Sequence, residues 1–328
     1  MRATVLSCSG GKDSTAAGLH LIEQGITFEA IFCDTGWEAP ETYRYLREVL
    51  PGVLGPIRWL RAEVKWPEQL KLHALRASGA PANEIEAAEL AEGARVAALC
   101  EEWAREMEGM LGVEYSAFVR LALRKGVMPA RTLRWCTQEL KALPAKNHLA
   151  MLDDPLNVVG IRHEESAARA AMPEREYDGA MDCDVWRPLI HWTLDDVIAI
   201  HARHGLTPNP LYLGTAVRVG CYPCIFSRKE EIRFIPPERV AVIRVLEERV
   251  KQASEMRIAR KGEDINRLPP TFFQADEALD DGSYHWPIDS VMEWARTARG
   301  GRQVELFASK ARDAGCMRWG LCDLGGVR

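Results

Sequence analysis

Apolar and polar positions change period in a regular way along the first third of this chain. Ala3 to Ser7 (ATVLS) is short, apolar and β-prone, and a glycine-rich turn follows it. Thr15 to Gln24 then reads as a helix, with Ala16, Leu19, Leu21 and Ile22 as its apolar positions. Phe28 to Cys33 (FEAIFC) reads as a second strand, and Pro40 to Leu50 as a second helix with Pro40 suited to its first turn. This β-α-β-α alternation predicts an α/β fold: a Rossmann-like parallel sheet flanked by helices. Leu156 to Ile161 (LNVVGI) returns as a strand, and Leu194 to His204 as a helix led by Thr193, a good N-cap.

Residues 66–126 break the pattern and predict a helical insertion. Within it Asn83 to Gly112 reads as one long helix carrying Glu84, Glu86, Glu89, Glu92, Glu101, Glu102, Glu106 and Glu108, a charge pattern expected of a solvated face. Beyond Ile235, helices are expected near Pro237–Arg257 and Ile288–Arg299, with a turn-rich segment from Gly262 to Pro287 between them. An α/β region over 1–230 is therefore expected to be followed by a mainly helical region over 231–328.

Composition changes this picture little. The 328 residues suffice for a large core, and 47% apolar with 27% charged residues is ordinary for a globular protein. The net charge of -5 gives no overall attraction to a polyanion. Locally the sign reverses: Arg120, Arg124, Lys125, Arg131, Arg134, Lys141 and Lys146 lie in a stretch whose one acid is Glu139. That stretch, Arg120–Lys146, is a candidate contact for DNA or tRNA, with phosphates of a nucleotide as the other candidate. No apolar run approaches ~18 residues, so no membrane span is expected. The N-terminus reads as a strand and lacks the pattern of a signal peptide, so a cytoplasmic, reducing setting is expected. The nine cysteines then suggest metal binding or catalysis before disulfides.

The chemistry starts at Ser9-Gly10-Gly11-Lys12-Asp13-Ser14, between the first strand and the first helix. Backbone N–H groups and the dipole at a helix start favour an anion there. Two glycines let the backbone form an anion-holding nest, Lys12 adds a point charge, and Ser9 and Ser14 add hydroxyl donors. The spacing is not that of a Walker A loop. Asp34-Thr35-Gly36-Trp37-Glu38 ends the second strand, and a parallel sheet puts both strand ends at one edge.

These residues resemble a known pattern. SGGKDS after a strand is similar to the PP-loop of the ATP pyrophosphatase superfamily, whose members split ATP into AMP and pyrophosphate. The string from Asp34 to Thr42 (DTGWEAPET) resembles the second motif of its phosphoadenosine phosphosulfate (PAPS) reductase-like branch. Three later segments resemble the same branch: Arg134-Trp135-Cys136-Thr137 with Leu140-Lys141, Gly160-Ile161-Arg162 with Glu165-Ser166, and Thr207 to Tyr212 leading to Gly220-Cys221-Tyr222-Pro223-Cys224. The resemblance spans residues 3–230. It implies a nucleotide site made of Ser9, Gly10, Gly11, Lys12, Asp13, Ser14, Asp34, Thr35, Gly36, Glu38, Gly160, Arg162 and Glu165. Lys12, Asp34 and Arg162 would be the catalytic groups, with ATP and Mg²⁺ as ligands. Arg162 suits bidentate phosphate or sulfate binding, and Glu165 suits orienting that arginine or holding Mg²⁺.

Cys221 and Cys224 have C-x₂-C ligand spacing. In the adenylyl-sulfate reductases that the chain resembles, a Cys-Cys pair and a later C-x₂-C hold a [4Fe–4S] cluster. Thr137 stands where the second cysteine of that pair would be, so the resemblance implies Cys136, Cys221 and Cys224 plus a tail ligand. Cys322, beside Gly320 and Gly325, is the first choice and Cys316 the alternative, so the tail would return to the metal site. Zinc held by two cysteine pairs is the rival. Cys8, Cys33, Cys100 and Cys183 read as packing residues.

Two enzyme readings follow. One is an iron–sulfur ATP pyrophosphatase that adenylates a substrate for sulfur transfer, on nucleic acid or another acceptor, with a cysteine desulfurase or another donor supplying sulfur. The other is a PAPS or adenylyl-sulfate reductase producing sulfite. Such reductases carry a Glu-Cys-Gly-Leu-His tail, where this chain has Arg318-Trp319-Gly320-Leu321-Cys322. A third reading is non-catalytic: a nucleotide- and metal-binding sensor or a DNA-positioning subunit.

Overall fold

The apolar runs of the sequence assemble into one six-stranded sheet. The structure is a computed structural model that describes residues 2–214, 216–261, 270–275, 284–297 and 319. The strands are β1 (Ala3–Ser7), β2 (Glu29–Asp34), β3 (Ile57–Arg61), β4 (Pro155–Val159), β5 (Arg175–Asp178) and β6 (Cys183–Trp186), in the order β3-β2-β1-β4-β6-β5. All neighbours are parallel except β5, which runs antiparallel to β6 at one edge. The order reverses between β1 and β4, and in such sheets ligands bind in the crevice beyond the strand ends at that switch point.

The expected helices are present. The first spans Lys12–Glu23, and the second, Pro40–Arg44, runs on as a π-helical turn over Tyr45–Val49. The insertion helix spans Ala82–Leu111 and stops at Gly112, whose left-handed backbone suits glycine. Thr193 caps helix Leu194–Arg203 by accepting the N–H of Asp196. Helices Pro237–Lys261 and Ile288–Arg296 form the C-terminal part, with a short antiparallel pair, Phe273–Gln274 and His285–Trp286, between them. No helix among the described residues is long and apolar enough to cross a membrane.

The insertion helix departs from the expected solvated face. Glu89 and Glu108 are buried because each has a cation or backbone donors to receive it. Glu89 takes Arg76 and the N–H of Leu72, and Glu108 takes Arg120 at 2.7 Å and the N–H of Ser116. Arg120 is itself buried and also binds Glu101 at 2.7 Å. Its hydrogen bond holds the Glu101 carboxyl at about 2, well below the ordinary range. The Arg120 guanidinium is thus already paired with two carboxylates of the insertion helix.

Two large apolar cores result. One packs the first two helices and helix Leu194–Arg203 on the sheet through residues such as Leu6, Leu19, Phe32, Leu46, Val158 and Ile200. The other joins Trp37 and the insertion to the C-terminal helices through Phe118, Trp135, Ile243, Phe272 and Val291. Residues on both sides of position 230 share this second core. Within it Glu247 is buried, accepting the N–H of Phe272 at 2.9 Å and of Ile288 at 3.1 Å.

Two stability measurements test these readings. Asp34 and Arg61 face each other across β2 and β3, and Arg61 reaches the buried Asp34 carboxylate at 2.7 Å and 3.1 Å. Asp34→Asn should cost about 1–3 kcal/mol in chemical denaturation, at the low end because Arg61 is partly exposed. Burial raises the Glu247 carboxyl to about 7. Its contribution is complete below the ordinary carboxyl range and is lost as pH rises through about 7. The wild type should therefore lose on the order of 3 kcal/mol between pH 5 and 8 that Glu247→Gln does not lose; parallel pH–stability profiles would disprove this.

Candidate functional site

The loop after β1 is a tight glycine turn that leads straight into the first helix. Gly10 has φ +71°, and Gly11 is the N-cap of the first helix with no side chain to satisfy the first-turn N–H groups. Ser14 Oγ donates to Gly11 O at 3.0 Å and accepts Ser9 N–H at 3.1 Å, which sets the loop's curvature. The loop after β4 leaves the sheet beside it, since Ser7 is in register with Val159. Gly160 permits this approach: a Cβ there would lie 2.4 Å from Asp13 O. The two loops are then tied by charge, with Arg162 Nε 2.6 Å from Asp13 and Asp13 3.2 Å from Lys12 Nζ.

A third segment closes over the loop. Asn209 donates to Gly10 O at 3.2 Å, and the Tyr212 hydroxyl accepts the N–H groups of Lys12 at 3.2 Å and Val219 at 3.1 Å. Lys12 Nζ reaches Val217 O at 3.2 Å and lies 4.9 Å from the centre of the Tyr212 ring. Trp319, a described residue of the tail, packs on the same Tyr212 at 6.1 Å and on His201 at 5.3 Å.

The cleft left between these segments holds about 650 Å³. Ser9, Gly11, Asp13 and Ser14 form one wall, and Cys136, Cys221 and Cys224 with Lys141 form another. The C-x₂-C loop is laced to the Asp34–Glu38 motif: Glu38 bridges to Cys221, Tyr222 N–H donates to Trp37 O at 2.9 Å, and Trp37 Nε1 donates to Pro223 O at 3.1 Å. Arg239, from helix Pro237–Lys261, donates to Glu38 O at 3.2 Å and lies over the Trp37 ring.

The electrostatics of the sulfur wall are unusual. Burial pushes the Cys221 thiol up to about 11, against the pull of Lys141. Cys136 is raised by burial and by the nearby Cys224. Burial works against the Lys141 ammonium, yet Cys221 and Glu38 outweigh it and hold its pKa above the ordinary lysine value. Three thiols around one cleft with a half-buried cation beside them suit a soft, thiolate-preferring metal or an iron–sulfur cluster. Among the described residues no group of three His, Cys, Asp or Glu side chains converges on a single-ion site. Cys316 and Cys322 lie outside the described residues, as does the glycine-flanked tail turn.

The candidate site residues thus separate into groups. Ser9, Gly11, Asp13, Ser14, Gly160 and Glu165 line the cleft with the three cysteines, while Gly10 and Lys12 shape the loop. Arg162 is buried, and its guanidinium is held by Asp13 and by Glu164 at 2.7 Å. Glu165 accepts the Arg162 backbone N–H at 2.9 Å and pairs its side chain with Arg169, not with the Arg162 guanidinium. Asp34 and Glu38 are buried and share the Tyr43 hydroxyl, which donates at 2.9 Å and 3.0 Å. Both Asp34 oxygens are engaged, Oδ1 by Gly36 N–H and Tyr43 and Oδ2 by Arg61. Thr35 serves Glu38 through its hydroxyl at 2.8 Å. Gly36, at φ +69°, passes Ser116 where a Cβ would lie 2.3 Å from its Cα. Cys8, Cys100 and Cys183 are buried, and Cys33 is half-buried.

The sequence places Lys141 only in the basic stretch and a motif, and Asn209 and Tyr212 only within a motif, and it gives no sign of Tyr43 or Arg239. A lysine four residues after Thr137, and an Asn and a Tyr within one proline-rich turn, were the available signals. Arg239 had none, since it comes from a helix distant in sequence.

Comparison with known proteins places this geometry. Residues 3–66 and 116–227 match the family model described as the phosphoadenosine phosphosulfate reductase domain, and the unmatched gap falls on the insertion. An uncharacterized 37.8 kDa protein of Escherichia phage 186 is 33% identical over 326 residues, covering 93% of this chain and 91% of that protein. The adenosine 5'-phosphosulfate reductases of Allochromatium vinosum and Neisseria meningitidis are 35% and 33% identical, each over 30% of this chain. Those matches span 36% and 41% of the two reductases' own lengths. A PAPS reductase structure from Candida auris aligns with a TM-score of 0.42 at 15% identity, over 68% of this chain and 83% of its own. The chain belongs to the phosphoadenosine phosphosulfate reductase domain family.

Proposed function

We propose that the protein is an iron–sulfur ATP pyrophosphatase that adenylates a substrate for sulfur transfer. The observation that carries this reading is one cleft with two walls: the glycine-rich loop, through Ser9, Gly11, Asp13 and Ser14, on one side and three thiols on another, with Lys12 behind the loop on Val217 O. A substrate oxygen would attack the α-phosphorus of ATP and release pyrophosphate; sulfur would then displace AMP. The nest N–H groups of Gly11 and the first helical turn would hold the phosphates, and Lys12 with Mg²⁺ would offset their charge. Lys12 would exchange its contact with Val217 O for phosphate oxygen. Arg162, fixed by Asp13 and Glu164, would keep the loop in its binding shape rather than touch the reacting atoms. Cys136, Cys221 and Cys224 with a tail cysteine would hold a [4Fe–4S] cluster, which when bound would supply thiophilic iron for handling the sulfur. Lys141 would offset the negative charge of those thiolates.

The matches to adenosine 5'-phosphosulfate reductases favour a second reading, reduction of adenylyl sulfate to sulfite. One assay separates the two. Pyrophosphate released from ATP supports the first, and sulfite formed from adenylyl sulfate with a thiol reductant supports the second. ATP binding without either product leaves a sensor or positioning subunit.

Two variants carry the test to residues. Lys12→Ala should weaken ATP about tenfold to hundredfold by calorimetric titration, the worth of a hydrogen bond to a charged group at ~1.5–3 kcal/mol. Unchanged affinity would remove the loop from the site. Purified without oxygen, the protein should contain iron and sulfide that Cys136→Ser, Cys221→Ser and Cys224→Ser each lose while Cys183→Ser keeps them. Zinc without iron would overturn the cluster.

A further inference from the structure

Residues 67–115, which the family model skips, supply much of the wall of a second cavity, with no lining residue in common with the first cleft. It holds about 230 Å³ between the segment Trp66–His73, the insertion helix, helix Ala117–Lys125 and helix Pro237–Lys261. Its walls are apolar: Trp66, Leu70, Val96, Ala97, Leu123 and Ala253.

The roof is an arch pinned at both ends. At one end Glu89 receives the backbone N–H groups of Leu70, through its carbonyl at 3.2 Å, and of Leu72, through its carboxylate at 2.9 Å. Arg76 closes that end with a 2.6 Å bond to the same carboxylate. At the other end Trp66 Nε1 donates to Glu101 at 2.8 Å, and Glu101 is in turn held by Arg120. Between the pins the arch rests on Gly93, where a Cβ would lie 2.3 Å from Glu68 O. Small side chains at Ala97 and Ala253 leave the space beneath it unfilled. A roof fixed by a buried carboxylate at one end and an ion-pair network at the other resists collapse into the recess.

Glu89 and Glu101 pin the roof from outside the lining, already paired with Arg76 and Arg120. The insertion helix is rich in glutamate, yet the charged or basic side chains lining this cavity are Lys71, His73 and Arg124, all exposed. We propose that the cavity binds a small monocarboxylate with an apolar body, the carboxylate at Lys71 and Arg124 and the body against Val96, Ala97 and Leu123. The size suits this class, since a dry apolar cavity of ~150 Å³ already accepts benzene. The proposal is independent of the reaction in the nucleotide cleft.

Octanoate, octanol and octylamine, equal in chain length and different in head group, test it on the full chain by thermal shift and calorimetry. Octanoate should bind saturably and raise the melting temperature, with octanol at least tenfold weaker and octylamine silent. Ala97→Phe, which fills the recess, should abolish octanoate binding. Should that variant fail to fold, the exposed change Lys71→Glu should weaken octanoate at least tenfold while leaving ATP affinity unchanged. Equal binding of octanoate and octanol, or octanoate binding that survives both variants, overturns the proposal. No binding of any of the three also overturns it, and would mean that the chain itself fills the space.

Discussion

The Trp37 side chain is the contact on which the other parts of this molecule depend. It is fully buried, stacked on Phe118 at 4.7 Å and on Phe272 at 5.7 Å, with the Arg239 guanidinium over its ring. Phe118 belongs to the end of the insertion, and Phe272 and Arg239 to the C-terminal part. Its ring N–H and its backbone carbonyl both bind the C-x₂-C loop. A single indole thus joins the sheet edge, the insertion, the C-terminal helices and the sulfur wall. Aromatic burial of this kind is worth several kcal/mol, so these parts are expected to fold as one cooperative unit.

Around that centre, charge is used mainly for building. Arg120, Glu89, Glu101 and Glu108 fasten the insertion to itself and to the segment that crosses it. Asp34 fastens β2 to β3, and Arg162 fastens the two loops at the switch point. A buried ion whose partner is removed is costly, so such groups specify one arrangement more than they add net stability. What remains at the cleft is a nest of backbone donors, Lys12, and thiols around Lys141. Under the proposed function, nucleotide and sulfur chemistry would meet in this cleft.

How much of this was legible beforehand depended on the range of the interaction. The strand-loop-helix at Ala3–Gln24 was readable because strand period, two glycines and helix period lie within two dozen residues. Helix Leu194–Arg203 was readable through Thr193 and Asp196, a local capping pair. β3 (IRWLR) and β5 (REYD) carry charge on exposed edges, so their strand character comes from the partner strand and not from an apolar pattern. The glutamates of the insertion helix read as a solvated face because nothing local announced the cations that bury two of them.

The sequence by itself determined the fold class and the position of the glycine-rich turn between the first strand and the first helix. These follow from periods and turn residues whose physics acts over a few bonds. Only the tertiary structure decided which charged residues are free to act. Arg120 and Asp34 stand unpaired in a linear reading, and each takes an opposite charge that only folding brings to it. Conversely, Tyr212 and Lys141 acquire their roles from contacts that the chain makes only after closing on itself. The physical reason is that a side chain's charge is fixed by its type, whereas its partner and its exposure to water are fixed by packing.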